Sequence, residues 1–385
     1  HPSNPDIVYA AASGHEWTDN EERGVFKTTD GGATWRKVHY LSPRTGAIDL
    51  VMDPSNPNVL YASTWQRIRR KWNDPRNEAG YGESGIFRST DAGETWAPVN
   101  TGLPPAASRG RIGLDIARSR PATLYAFVDN YEIARKAKEG ERDAYGRQRA
   151  DVIKGAEVYR SDDAGATWRK VSESNAYMER LAGTYGWVFG QIRVDPTNAE
   201  TVYVMGLALD VSADCGGPFT AIGDMHGDHH ALWIDPDNPR FLVNGNDGGV
   251  VVSYDQGLTW REFLDNLPAV QFFNVSYDMD TPFRVYGSIQ DHGSRRAVVD
   301  LSRGRDRVPA QAFQNAPGGE GSRHAIDPRD PKIVYSAGFY HNITRADVSK
   351  VDARGRAQSV AITPRLGPAD GYLRGGRLGH QQHQF

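Results

Sequence analysis

The chain has 385 residues, 38% of them hydrophobic and 24% charged, with 41 Gly, 22 Pro, a single Cys and a formal net charge of −3. The lone cysteine, Cys215, excludes internal disulfides, and a near-neutral balance gives no basic surface for a nucleic-acid backbone. No window approaches the ~20 apolar residues of a membrane span, and the abundance of turn formers points to many short, half-exposed strands.

In chain order, short apolar strands alternate with two kinds of turn. The first repeat, 1–41, runs from the turn-like His1-Pro2-Ser3-Asn4-Pro5 through Gly24-Val25-Phe26-Lys27 to Thr28-Thr29-Asp30-Gly31-Gly32-Ala33-Thr34-Trp35. A new strand near 47–52 leads into Asp53-Pro54-Ser55-Asn56-Pro57, then Val59-Leu60-Tyr61-Ala62, the insertion 65–84, and Ser89-Thr90-Asp91-Ala92-Gly93-Glu94-Thr95-Trp96. The third repeat opens near 111–117, carries a charged insertion at 130–156, and ends on Ser161-Asp162-Asp163-Ala164-Gly165-Ala166-Thr167-Trp168. The fourth opens near 190–194 with Asp195-Pro196 and holds a worn copy, Ser212-Ala213-Asp214-Cys215-Gly216-Gly217-Pro218-Phe219. The fifth opens near 230–234 with Asp235-Pro236 and ends on Ser253-Tyr254-Asp255-Gln256-Gly257-Leu258-Thr259-Trp260. Further opening strands fall near 272–278 and 322–326, the last before Asp327-Pro328.

Each motif has a physical reading. In Ser/Thr-x-Asp-x-Gly-x-Thr-Trp the Asp carboxylate accepts backbone N–H groups within a hairpin turn, and Gly takes a conformation bulkier residues avoid. Asp-Pro-x-Asn-Pro is a second strand–turn–strand unit. Four strands per repeat, A to D, make a radial blade, so the expected fold is all-β: a β-propeller of four-stranded antiparallel blades. Six full repeats and one lacking its A strand predict seven blades, in a single domain over 1–364. The irregular tail 365–385 is the candidate segment for closing the ring.

These residues resemble the bacterial Asp-box repeat family (the bacterial neuraminidase repeat), whose members are described as sortilin-like or glycosyl-hydrolase-like. The resemblance is carried by 21–32, 45–54, 226–236 and 245–250, and by Tyr286-Gly287-Ser288-Ile289-Gln290-Asp291-His292-Gly293. It implies a secreted or periplasmic protein. Because both ends break the repeat, the chain reads as a monomeric piece of something longer. Asp-box propellers include sialidases, xyloglucan-active glycosidases and non-catalytic sortilin receptors, so the resemblance speaks to fold more than to function.

Blade topology puts the A–B and C–D turns on one face and the B–C and D–A loops on the other. The Asp motifs are therefore expected to be structural, and chemistry is expected among the longer loops opposite. His226-Gly227-Asp228-His229-His230 is the sharpest signal there: His226, Asp228 and His229, with His324, are candidate ligands for a divalent metal such as calcium, zinc or manganese. The alternative is a polar plug of the same residues without metal. Asp228, Asp49, Asp291 and Glu320 are the candidate catalytic carboxylates, and His15, Trp17, Arg111, Tyr185, Trp187, Asp247 and His292 the candidate substrate contacts. Three functions fit: metal-assisted hydrolysis of an ester or phosphoester, glycoside hydrolysis by paired carboxylates, or binding of a carbohydrate or protein without catalysis. The first is the leading expectation, with a small-molecule or carbohydrate ligand.

Overall fold

The computed structural model describes residues 1–15, 17–67, 82–142, 148–175, 177–178, 181, 189–263, 270–308, 312–339 and 342–364. The tail 365–385 lies outside the described residues. The chain divides into two compact units, His1–Phe263 and Leu264–Phe385.

The first unit holds five antiparallel sheets in which consecutive strands are neighbours. The first sheet has three strands, Val8–Ala12, Gly24–Thr28 and Arg36–His39. The second runs Thr45–Met52, Leu60–Gln66, Gly85–Ser89, Ala97–Pro98, and the third Arg109–Ile116, Leu124–Arg135, Val152–Ser161, Arg169–Lys170. The fourth is Gln191–Val194, Val202–Met205, Leu209–Ser212, Thr220–Ile222, and the fifth His229–Ile234, Leu242–Asn246, Gly249–Ser253, Arg261–Glu262. The second unit holds two more. The sixth sheet is Asn274–Tyr277, Phe283–Ile289, Gly293–Val299, Gln314–Asn315, and the seventh Arg323–Ile326, Ile333–Ala337, Ile343–Val351, Ala357–Ala361. All six opening strands expected from the sequence are present, and among the described residues the first sheet has three strands and no opening one.

In the first unit the core lies between successive sheets. Tyr61 and Ile86 of the second sheet pack with Ile112, Leu114 and Trp168 around the third, while Phe127 and Val158 of the third pack with Ile192 and Val204 of the fourth. Tyr203 and Met205 meet Leu232 and Leu242 of the fifth. Opening strands of successive sheets lie side by side, so close that a Cβ on Gly113 would stand 2.1 Å from the carbonyl oxygen of Gly190. Four-stranded antiparallel sheets stacked face to face on adjacent opening strands are the packing of propeller blades.

The turns explain why the repeats carry their residues. In the C–D turn of the second sheet Asp91 Oδ1 accepts the Thr95 N–H at 2.9 Å, Asp91 Oδ2 accepts the Thr95 hydroxyl at 2.5 Å, and Ser89 Oγ accepts the Gly93 N–H at 2.8 Å. Asp30, Asp163 and Asp255 repeat the pattern. In the worn copy Pro218 stands where the others have Thr, so neither N–H nor hydroxyl reaches Asp214, while Ser212 Oγ still accepts the Gly216 N–H at 3.2 Å. The N–H one residue past the Asp donates across to the A–B turn: Gly31 to Asp6, Ala92 to Asn58, Ala164 to Ala122, Cys215 to Glu200 and Gln256 to Arg240. Val348 to Lys332 in the seventh sheet repeats it, identifying a turn at Asp347 that the sequence motif does not show. The Asp-Pro turns are Asx turns, as at Asp53, whose Oδ1 accepts the N–H groups of Ser55 and Asn56.

Candidate functional site

The loop-bearing end of the first unit gathers the polar residues that the turns do not use. The segment Asp228–His229 is sewn to the B–C turn of the fourth sheet, the Asp228 N–H donating to Leu207 O at 3.1 Å and the His229 N–H to Gly206 O at 2.9 Å. Asp228 sits at φ +60°, a left-handed conformation that few side chains adopt. Asp247 occupies the B–C turn of the fifth sheet, and its N–H donates to Asp228 O at 3.3 Å. The two carboxylates approach within 4.8 Å of one another. A Cβ on Gly248 would lie 2.5 Å from that of His226, so the glycine is what lets His226 close over this turn.

The histidines here are framework. His229 is 2% exposed; its Nδ1 lies 2.8 Å from Asn244 Oδ1, and the Asn244 amide is itself oriented by donating to Ala231 O at 2.9 Å. Nδ1 therefore carries the proton, and burial holds the ring's pKa below the ordinary histidine value, so it is neutral. His230 Nε2 lies 3.0 Å from Asp247 Oδ1, with its ring 5.1 Å from that of Phe189. His226 Nδ1 faces the carbonyl of Gly227 at 3.1 Å. Of the residues expected to bind a metal, no histidine belongs to a group of three acidic, His or Cys ligands within 4.8 Å of one another among the described residues.

Asp49, expected as a catalytic carboxylate, ties two sheets together. Its Oδ1 accepts the Leu50 N–H at 2.9 Å and its Oδ2 the Leu114 N–H at 3.0 Å, joining the opening strands of the second and third sheets. Asp115 repeats the tie one sheet on, accepting from Ile116 at 2.9 Å and from Val194 at 2.7 Å, with burial pushing its carboxyl up to about 6. Arg111 lies among Asp49, Asp129, Tyr131 and Arg67, and burial lowers its pKa. His15 presents its carbonyl to Arg23, and Trp17 is exposed. Tyr185 and Trp187 lie outside the described residues.

The second unit carries its own acid pair. Asp291, at φ +57° in the B–C turn of the sixth sheet, is hydrogen-bonded to the Glu320 carboxyl, whose pKa is raised by burial and then by the Asp291 charge. Glu320, Ser322, Ser336, Phe339 and Asn342 line a cavity of about 400 Å³ at that end of the seventh sheet. His324 is buried and donates Nε2–H to Pro317 O at 2.9 Å; burial lowers its pKa. His292 Nδ1 lies 2.9 Å from the carbonyl of Gln290. Sequence reasoning named these acids singly, and their pairing is a product of the turns. It missed Asn244, Asp115 and Arg109 altogether, because each is an ordinary strand residue whose surroundings come from other sheets.

An all-β chain of blade-like sheets with polar residues at the loop-bearing end is the class of protein that the fold and site define. No family model matches the chain. By sequence it is similar to a xyloglucanase from Acetivibrio thermocellus, 25% identical across 48% of this chain and 30% of that protein. It is likewise similar to an oligoxyloglucan-reducing end-specific xyloglucanase from Emericella nidulans, 24% identical across 52% of this chain and 27% of that one. The chain thus spans under a third of the length of these curated relatives. Among solved structures, an ancestral GH74 enzyme superposes with a TM-score of 0.40 at 12% identity, covering 96% of this chain and 64% of that one. A periplasmic gluconolactonase of Pseudomonas aeruginosa also gives 0.40 at 12% identity, covering 92% and 96%.

Proposed function

We propose that this chain is a carbohydrate-active Asp-box β-propeller of seven blades and hydrolyses glycosidic bonds in a β-glucan of the xyloglucan type. The observation that carries the reading is the approach of the Asp228 and Asp247 carboxylates to within 4.8 Å at the loop-bearing end of the first unit. Glycoside hydrolysis needs two carboxyl groups flanking the scissile bond, one to donate a proton to the leaving oxygen and one to serve as base or nucleophile. The His230 ring beside Asp247 keeps that carboxylate oriented, and the exposed Trp17 offers an aromatic face of the kind sugars stack on. The likeness to xyloglucanases supports the substrate class. A polysaccharide substrate also implies that the protein works outside the cytoplasm. Metal-assisted ester hydrolysis, the leading expectation from the sequence, has no comparable support, since among the described residues none of the histidines meant for the ion stands in a group of three His, Cys or acidic ligands.

The test is hydrolysis of xyloglucan oligosaccharides, followed by reducing-sugar release and product chromatography. Wild type should cleave them, and Asp228→Asn and Asp247→Asn should each lower kcat about a thousandfold with the strand spectrum unchanged. Binding of the oligosaccharides without cleavage by wild type would replace catalysis with recognition. Neither binding nor cleavage would sink the carbohydrate reading.

A further inference from the structure

Arg109 opens the first strand of the third sheet, at the end of the unit where the loops lie, and its backbone pairs with Asn130. It is 7% exposed, and its Nε is sealed from solvent with no acceptor among the described residues. Other buried arginines of the described chain are matched. Arg23 donates to the carbonyls of His15, Thr18 and Arg44, and Arg160 to Asp162, Tyr125 and Cys215. Arg109 has no such partner among the described residues, and burial lowers its pKa with no carboxylate acting to raise it. Glu157, on the next strand but one of the sheet, already takes hydrogen bonds from Asn130, Tyr159 and Lys170. A buried guanidinium without a counter-charge is strongly unfavourable, so one with no partner among the described residues is placed to receive an anion.

The setting fits an external oxyanion. The strand is irregular between Arg109 and Ile112, which takes residues 110–111 off the regular ladder, and Gly110 lies under the Tyr131 ring, 2.3 Å from where a Cβ would stand. Arg111, two residues on, adds a second guanidinium to the same stretch. We propose that Arg109 anchors an oxyanion subsite for the carboxylate of an acidic sugar, a uronic acid unit, gripped by the planar fork of the guanidinium. The sugar part of this assignment rests on the carbohydrate reading above; the oxyanion part does not.

The experiment is thermal unfolding of the intact chain with glucuronate, glucose or inorganic phosphate, for wild type, Arg109→Met and Arg109→Gln, with glucuronate affinity from calorimetry. Glucuronate should raise the Tm of wild type where glucose does not, and both variants should bind it at least tenfold more weakly. Without ligand both variants should melt at or above the wild-type temperature, because they remove an unmatched buried charge. A lower Tm in both variants without ligand would show that Arg109 is paired within the fold, and undiminished glucuronate binding in the variants would place the subsite elsewhere. A response to phosphate and none to glucuronate would overturn the carboxylate assignment. Cleavage of neutral xyloglucan by wild type is scored separately, so failure of the hydrolase reading leaves the glucuronate result standing on its own.

Discussion

Glu320 shows how a single residue's environment decides what it does. Its carboxyl meets Asp291 across a hydrogen bond, and burial together with the Asp291 charge raises its pKa. A carboxylic acid whose folded pKa lies above its unfolded value contributes stability at pH below the unfolded value and loses it as pH rises through the folded one. At neutral pH the ionised pair is therefore a liability. Glu320→Gln keeps the hydrogen bond and removes the charge, so its Tm at pH 7 should exceed that of wild type by roughly 1–3 °C, with the difference vanishing near pH 4. A melting series from pH 4 to 8 checks this, and an unchanged difference across that range would show that the two carboxyl groups do not interact. Asp115 teaches the same lesson: it reads in the sequence as an ordinary strand residue, and only the neighbouring sheet makes it an inter-sheet tie.

At the scale of the element, the C–D turn joins one sheet to the next. The Tyr9 hydroxyl of the first sheet donates to Ala92 O at 2.8 Å in the second and Tyr61 to Ala164 O at 3.0 Å in the third, while Tyr125 donates to Ala199 O at 2.8 Å in the A–B turn of the fourth. The ring lies on the turn glycine, a Cβ on Gly93 standing 2.9 Å from Tyr9 Cε1 and one on Gly165 3.1 Å from Tyr61 Cε1. Gly93 is also at φ +82° and follows Ala92 at +58°, two left-handed residues in succession. Gly93→Ala thus incurs both backbone strain and a ring displacement and should destabilise by about 2–3 kcal/mol, measured by denaturant titration. Gly140→Ala, with φ +79° and open space around its Cβ, carries the strain alone and should cost about 1 kcal/mol. Equal losses would rule out the Tyr9 contact as a restraint. The glycines were legible in the sequence because the turn requires them; the tyrosines were not, since their partners lie 74 to 103 residues away.

Across the whole molecule, what the sequence carried was the repeat: the six opening strands and the missing first one follow from local turn chemistry that each repeat states for itself. The candidate site was legible only as a set of polar residues on loops. Which acids meet which, and which histidines are tied to amides, depends on close approaches between strands far apart in the chain. The repeated turns also set how the fold answers to acid. Asp30, Asp91 and Asp255 are held down to about 2 by their threonine hydrogen bonds first, and Asp347 to about 2 by Ser349. Depressed carboxyls contribute stability that is fully present above the unfolded value, near 4, and is lost as pH falls toward 2. His39, packed 4.5 Å from Phe87 and 5.4 Å from Trp96, is lowered by burial to about 4, so its contribution is present above 6.5 and lost between 6.5 and 4. Melting temperature should accordingly fall in two stages on acidification. His39→Gln should flatten the stage between pH 6.5 and 4, and a combined Asp30→Asn, Asp91→Asn, Asp255→Asn variant, less stable at neutral pH, should flatten the stage between 4 and 2. If the triple variant falls as steeply as wild type below pH 4, the turns do not govern acid unfolding, and the loss belongs to carboxylates elsewhere in the two units.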